Sequence, residues 1–329
     1  MFHTGVRKMR TLGFLISHKD NEKRRALLPK DLLNVRYVDQ IFIEKGYGET
    51  LRIPDFDYEN YGAHILDREK ILKCDCLVDV KLGDADYLDK LEKGKTLIGW
   101  AHILQKVDFT TRCIKDRHTV LAWENIYQNG RYLFYRNREL AGEAGVLHAF
   151  AYLGKMPYEC RVAILGNGQT ARGAMRFLHG LGATVDVYNR KLEPLFREMM
   201  FEYDVIVNCI LWDTSRTDHI ICREDLKKFR PGTMIIDISC DPGMEIETAR
   251  ATTISDPVYE IDGVIHYEVD NTPAMFPETV SKILSRNFST YLDGIICNQM
   301  AKEISDAIVI DQGRLMDKNT IEYRQRIGL

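Results

Sequence analysis

The chain is short of several things that would have decided its class at once. No apolar run approaches the roughly 20 residues a bilayer-spanning helix needs. The formal net charge is only −3 over 329 residues, which gives no reason to expect nucleic acid or an anionic membrane as partner. The eight cysteines are scattered. Only Cys74 and Cys76 lie close, and C-x-C without a second pair or a His cluster is a poor metal site. They read as reduced thiols of a cytoplasmic protein, some of them (Cys209, Cys240) buried in strands. The nine histidines contain no H-x-x-x-H or H-E-x-x-H spacing, so no metal is expected. No internal repeat or low-complexity tract is present. At the start, Arg7, Lys8 and Arg10 precede an apolar piece at 11–16 that is too short for a signal-peptide core. That piece reads as a first strand, and Met9 stands as an alternative start.

What is present is an ordinary globular composition, 45% apolar and 28% charged, with length enough for two domains with real cores. The most informative tract lies at mid-chain. An apolar run at 162–165 passes straight into G-x-G-x-x-A, with Gly166, Gly168 and Ala171 at the small positions. Gly166 suits a tight turn, and Gly168 lets backbone N–H groups approach a pyrophosphate. Ala171 lets the next helix pack closely while its N-terminus, at Gln169 and Thr170, faces the phosphates. A helix-compatible stretch, 169–180, and a second strand, 184–188, complete one βαβ unit with the spacing of a dinucleotide site. That second strand lacks the closing Asp or Glu that accepts the ribose 2′-OH of NAD. It ends in Asn189, Arg190 and Lys191, and two cations there suit a 2′-phosphate. The expected cofactor is NADP(H).

Strand-like runs at 11–16, 41–43, 77–80, 96–100 and 119–123 alternate with helical stretches at 29–35, 85–92 and 108–116. Such alternation predicts a parallel sheet covered on both faces. A turn-prone stretch, 125–137, leads to a helix at 138–153. A second block follows, with strands at 162–165, 184–188, 205–209 and 234–238 and a pair, 258–260 and 264–269, around Asp262-Gly263. From 278 to 304 the pattern is helical, and the tail from 311 is charged and weakly patterned. The expected fold is α/β, with two Rossmann-like domains of parallel sheet joined by helices. One is a substrate (catalytic) domain, 1–137 plus 290–329; the other is an NADP-binding domain, 138–289.

Four places are chemically loaded, and all follow strands, where open α/β sheets bind ligands. They are the basic loop at Arg24 and Arg25, Lys81 closing the run from Leu77, His102 after the run from Leu97, and Asp241 after the run from Ile235. Singly, each is as well explained by a solvated charge or a surface histidine. Together they make a set of cations, imidazole and carboxylate.

These residues carry a resemblance. Glu22-Lys-Arg-Arg-Ala-Leu-Leu-Pro29, Val78-Asp-Val-Lys81, Gly99-Trp-Ala-His102, Ile236-Asp-Ile-Ser-Cys-Asp-Pro-Gly243 and Asn271-Thr-Pro273 resemble, in order, the landmarks of the alanine dehydrogenase and nicotinamide nucleotide transhydrogenase family. The likeness runs from about Arg10 to Leu292. Within the family, Tyr135-Arg-Asn137, Ala141-Gly-Glu-Ala-Gly-Val-Leu147 and the Arg190-Lys191 pair look most like an opine-forming branch. That branch uses NADPH to join a 2-keto acid to the side-chain amine of an amino acid. The resemblance implies that Arg24 binds the keto-acid carboxylate, with Arg25 as the neighbour that blurs the register. It implies that Lys81 contacts the keto acid and polarises its carbonyl, that His102 is the general acid/base, that Asp241 is the essential aspartate, and that Asn271 lies near the nicotinamide. Departures lie at Glu139, Glu143, Arg131, Arg136 and Arg138. One of these arginines could hold the carboxylate of an amino-acid substrate, and Glu143 or Glu124 its α-amine; the alternative is a solvated helix start. The partners expected are small molecules and further copies of the chain. Rival readings are reductive amination with ammonia and a nucleotide-sensing relative without chemistry.

Overall fold

The computed structural model describes residues 9–213, 216–240 and 243–329. The chain forms two compact units, one of Met1–Phe134 with Phe276–Leu329 and one of Tyr135–Met275. Each is built on its own sheet.

In the first unit the sheet order is His64–Leu66, Ile41–Glu44, Leu12–Phe14, Cys76–Val78, Thr96–Gly99 and Thr119–Ala122, all parallel. Ile308–Asp311 and Arg314–Leu315 extend the last edge antiparallel. The central strands are buried on both faces, which is why their sequences are unbroken apolar runs rather than alternating ones. One face packs Leu77, Leu97 and Val120 against Phe109 and Cys113 of the helix Val107–Lys115. Register sets Val78 beside Ile98 and Gly99 beside Ala122. The chain therefore leaves three neighbouring strands at the same end of the sheet.

The second unit has the order Thr184–Tyr188, Arg161–Leu165, Val205–Asn208, Met234–Asp237, Val264–Tyr267 and Val258–Ile261, with only the last strand antiparallel. Period-two alternation splits the core. Val162, Val205 and Met234 face one way, onto the helices Tyr135–Leu153 and Gln169–Gly180. Ala163, Ile206 and Ile235 face the other, onto Phe196, Tyr203 and Leu226. From Arg161–Leu165 the chain goes first to one side and then to the other. That reversal makes the crevice where doubly wound sheets bind ligands.

Three expectations need correction. The helix expected at 85–92 is instead two single 3-10 turns, Leu82–Asp84 and Leu88–Lys90. The segment is tied to the strand ends, since the Gly83 amide donates to the Trp100 carbonyl (3.0 Å) and the Tyr87 hydroxyl to Asp79 (3.2 Å). A continuous helix would break those ties. The division between units falls at Tyr135 and Phe276 rather than at 138 and 289. The helix Pro277–Phe288 packs in the first unit, where Phe288 meets the Trp123 ring at 5.1 Å. There Ser281 and Ser285 accept from the amides of Arg25 (2.7 Å) and Leu28 (2.8 Å). The weakly patterned tail forms the edge hairpin and the helix Lys318–Arg326. Among the described residues, no helix is long and apolar enough to cross a membrane.

Candidate active site

In the first unit, the exits of Cys76–Val78 and Thr96–Gly99 are held together by backbone. The Trp100 amide donates to the Val80 carbonyl (3.3 Å). Gly99, at φ 154°, leaves no room for a side chain, because a Cβ there would overlap the Asp79 carbonyl. Lys81 and His102 are thus set on adjacent loops. Lys81 is buried, and its amide donates to Asp79 Oδ1 at 3.0 Å. Burial pushes the Asp79 carboxyl up to about 6. His102 sits at φ 46°, a left-handed conformation that costs a residue with a Cβ of order 1 kcal/mol or more. Glu124 supplies what holds it. Its two carboxylate oxygens accept from the amides of His102 (2.5 Å) and Ala101 (3.2 Å). Burial raises the Glu124 carboxyl, opposed by those amides and by the Lys81 charge. In the fold, then, Glu124 braces the backbone of the histidine loop.

Arg24 and Arg25 are both buried but are used differently. Arg24 donates through Nε to Glu22 Oε1 (2.8 Å) and through Nη2 to Glu22 Oε2, and its guanidinium lies over the Trp100 ring at 4.8 Å. Arg25 turns to main-chain carbonyls, donating to those of Tyr47 and Arg24, the latter at 2.8 Å. Of the two neighbours, Arg24 is the one beside the loop that carries His102. The Trp100 ring is itself fixed, since its Nε1 donates to the Tyr132 hydroxyl at 3.0 Å. Tyr132 belongs to a hairpin, Tyr127–Gln128 with Arg131–Tyr132, turned at Asn129 and Gly130. Glu22, Trp100 and Tyr132 were not singled out from the sequence. The E-x-R spacing was the available signal for Glu22, and nothing local marks Tyr132.

In the second unit, Gly166 takes φ 104°, and a Cβ there would lie 2.9 Å from the Cys209 carbonyl. A Cβ on Gly168 would meet nothing within 4 Å, so the backbone faces open space in front of the helix Gln169–Gly180. Gln169 Oε1 is buried there without a partner. An open turn at a helix N-terminus of this kind fits the pyrophosphate of a dinucleotide. Ala171 is fully buried against the sheet. A cavity of about 380 Å³ opens from Gly166 and Gly168 past Asn189 and Arg190 to Trp212 and Arg216. Asn189 Oδ1 accepts from the Lys191 amide at 2.9 Å, and both Arg190 and Lys191 are exposed. Asn271 is left-handed, at φ 68°, with its carbonyl accepting from the Ala274 amide (3.0 Å).

Asp241 lies outside the described residues. The loop leading to it is shaped by Asp237, whose Oδ1 accepts from the amides of Ser239 (3.0 Å) and Cys240 (3.1 Å) and from Asn208 Nδ2 (3.0 Å). Asp237, Glu245 and Glu268 are all fully buried. Burial and mutual repulsion push the Asp237 carboxyl well up, and burial takes Glu268 up to about 7. The arginine-rich helix start carries a cluster of ion pairs. Arg136 bonds Glu139 (2.8 Å) and Glu143 (2.7 and 3.0 Å), and Arg176 bonds Glu143 (2.6 Å) and Glu139 (3.3 Å). Arg176 of the helix Gln169–Gly180 therefore ties that helix to Glu139 and Glu143, and Arg136 pairs with the same two acids within its own helix.

The N-terminal domain model of the alanine dehydrogenase/PNT family matches residues 17–134, and its C-terminal domain model matches residues 192–323. The N(5)-(carboxyethyl)ornithine synthase of Clostridium botulinum is 32% identical over 298 residues, 85% of this chain and 93% of its own. The chain belongs to the alanine dehydrogenase/PNT family. As a member of that family it is an oxidoreductase, and the family's cofactors are nicotinamide nucleotides. The N(5)-(carboxyethyl)ornithine synthase of Lactococcus lactis subsp. lactis (strain IL1403) is 32% identical over 88% of this chain and 97% of its own. Alanine dehydrogenase 1 of Staphylococcus aureus (strain NCTC 8325 / PS 47) is 25% identical over 90% of each. Among solved structures, an L-alanine dehydrogenase superposes with a TM-score of 0.83 at 20% identity, over 96% of this chain and 100% of that one. At that identity the likeness speaks for the fold alone, which is the two-domain α/β architecture of the family.

Proposed function

We propose that the protein joins a small 2-keto acid, pyruvate foremost, to the side-chain amine of ornithine or lysine, with NADPH as the reductant. The observation that carries this reading is the grouping of Arg24, Lys81 and His102 on loops at one end of one parallel sheet, with His102 held strained by Glu124. In the proposed sequence Arg24 holds the keto-acid carboxylate. Glu22 and Trp100 fix the guanidinium, and a guanidinium suits a carboxylate partner. Lys81 polarises the carbonyl. The amine nitrogen forms a bond to the carbonyl carbon, and His102 moves protons from nitrogen to oxygen so that water can leave. Imidazole titrates in the range such a transfer needs. Asp241 stabilises the cationic imine, and Asn271 would contact the nicotinamide. NADPH, when bound, supplies hydride to the imine carbon. Gly166, Gly168, Gln169, Thr170 and Ala171 would hold its pyrophosphate, and Asn189, Arg190 and Lys191 its phosphorylated ribose.

The relatives named carboxyethylornithine synthase favour an amino acid over ammonia as the nitrogen donor. An amino acid also offers remote groups whose binding can position the attacking nitrogen, which ammonia lacks. The test is NADPH oxidation with pyruvate in the presence and absence of ornithine and lysine. The expected result is a requirement for one of them and a secondary-amine product identified by mass. Robust alanine formation from ammonia, indifferent to either diamino acid, would assign the protein to reductive amination instead. His102→Ala should lose about 10² to 10⁴ in turnover while still binding NADPH.

A further inference from the structure

The cavity in the second unit contains a group that a site for a phosphorylated cofactor would be expected to avoid. Glu193, the first residue of the helix Glu193–Met199, lines it together with Arg190. An acid near the end of the second strand of such a unit is the group that accepts ribose hydroxyls when the ribose carries no phosphate. Here the acid comes three positions after Arg190. A bare carboxylate there would repel a 2′-phosphate.

Glu193 is not bare. Arg216 grips it with a bidentate fork, Nη1 to Oε2 at 2.8 Å and Nη2 to Oε1 at 2.9 Å. Arg197 adds bonds to Oε1 from Nη2 (2.7 Å) and Nε (3.2 Å). Those partners hold the Glu193 carboxyl down at about 2, so it is fully ionised and fully paired. Arg216 is itself fixed. It donates to Asp218 through Nε (2.8 Å) and Nη2 (2.6 Å), and its guanidinium lies over the Trp212 ring at 4.4 Å. Two arginines and two carboxylates cancel, so this quartet adds no net charge beside Arg190, which lines the same cavity. Asp213, three residues before Arg216, also lines the cavity.

We propose that Glu193 is a latent ribose-binding carboxylate and that Arg216 masks it, so that Arg216 determines the preference for a phosphorylated nicotinamide dinucleotide. The inference rests on the nucleotide reading of the cavity. It adds to that reading a residue far from the second strand, with the direction in which its loss should act. With Arg216 gone, the quartet carries a net negative charge and Glu193 is freed toward the ribose. Both changes penalise a 2′-phosphate and favour a 2′-hydroxyl.

The test is direct binding of NADPH and NADH, followed by nicotinamide fluorescence, which needs no knowledge of the substrates. The variants are Arg216→Met, Arg216→Lys, Glu193→Gln and the Glu193→Gln/Arg216→Met pair. Arg216→Met should shift the ratio of NADPH to NADH affinity toward NADH by about tenfold, and Arg216→Lys, which keeps charge but not the fork, by less. In the Glu193→Gln background the same Arg216→Met change should shift the ratio by no more than about threefold, because the masked charge is gone. An unchanged ratio in Arg216→Met, or an equal shift with and without Glu193, overturns the mask. A wild type that prefers NADH overturns the NADPH reading separately, and a further shift toward NADH in Arg216→Met would still support the mask. If Arg216→Met fails to fold by thermal melting, Arg216→Lys measured with and without Glu193→Gln decides by the same comparison.

Discussion

His102 has a backbone conformation that its own side chain disfavours, and a carboxylate 22 positions later is what keeps it there. Glu124→Gln replaces a two-oxygen acceptor by an amide whose NH₂ must face one of the two donors. A charge-assisted bond of this kind is worth about 1.5–3 kcal/mol, so the loop should loosen while the sheet beneath it stands. The expected outcome is a fall in kcat of about tenfold or more with a change in the pH profile, and NADPH affinity unaltered. A variant with wild-type kcat and profile would reduce Glu124 to a structural acceptor. Tyr132→Phe makes a milder test on the arginine side. It removes the acceptor for Trp100 Nε1 and frees the ring that carries Arg24, so KM for the keto acid should rise several-fold with kcat little changed. The candidate residues Arg24, Lys81 and His102 were legible in the sequence as charges and an imidazole at strand ends. The backbone bonds of Glu124 and the bond of Tyr132 to Trp100 were not, because each acts on a loop distant in sequence and neither residue sits in a motif.

Two helices of the second unit, Tyr135–Leu153 and Gln169–Gly180, cross so closely that side chains are excluded. A Cβ on Gly173 would overlap the Glu139 carbonyl, and one on Gly142 would overlap that of Thr170. Gly173→Ala should therefore destabilise by about 1–3 kcal/mol through forced backbone shifts. In the same helix a Cβ on Gly180 would meet nothing within 4 Å. Gly180→Ala should stabilise by up to about 1 kcal/mol through helix propensity. Thermal melting of the two variants checks the contrast, and equal effects would contradict the packing. The sequence pointed to Ala171 for close packing and missed these glycines, since a helix–helix crossing leaves no periodic signal. Parallel strands were readable because burial on both faces demands continuous apolar runs, as in residues 162–165 and 234–236. The strands His64–Leu66 and Arg314–Leu315 were not. Both are short and lie at sheet edges, where one side is solvated and the run breaks up. The segment at 85–92 has helical composition, but the Tyr87 bond to Asp79 and the Gly83 bond to Trp100 just before it outweigh propensity.

At the scale of the whole molecule, two buried acids and two arginine-paired acids make stability depend on pH in opposite senses. Glu268 is fully buried, bonded to the Tyr259 hydroxyl (2.6 Å), with Glu245 raising its pKa and Arg250 lowering it. Its carboxyl rises from an ordinary 4.5 to about 7, and burial alone lifts Asp79 of the other unit from 3.8 to about 6. An acid raised on folding binds its proton more tightly in the native state. Its contribution is present below its ordinary value and is lost as pH climbs through the folded one. Glu193 and Asp218 are displaced the other way, to about 2 by their arginine partners. Their contribution is present above their ordinary values and is lost as pH falls toward 2. Their positions are partly exposed, so solvent and salt weaken it. The melting temperature should accordingly be highest in mildly acid buffer, between the two windows, and fall by several degrees as pH is taken from about 5 to about 8. Glu268→Gln should flatten the slope on the alkaline side nearest neutrality, and Asp79→Asn the part closer to pH 6. A melting temperature that rises steadily from pH 5 to 8 in the wild type, or a slope untouched in both variants, would mean that these carboxyls are ionised in the folded protein.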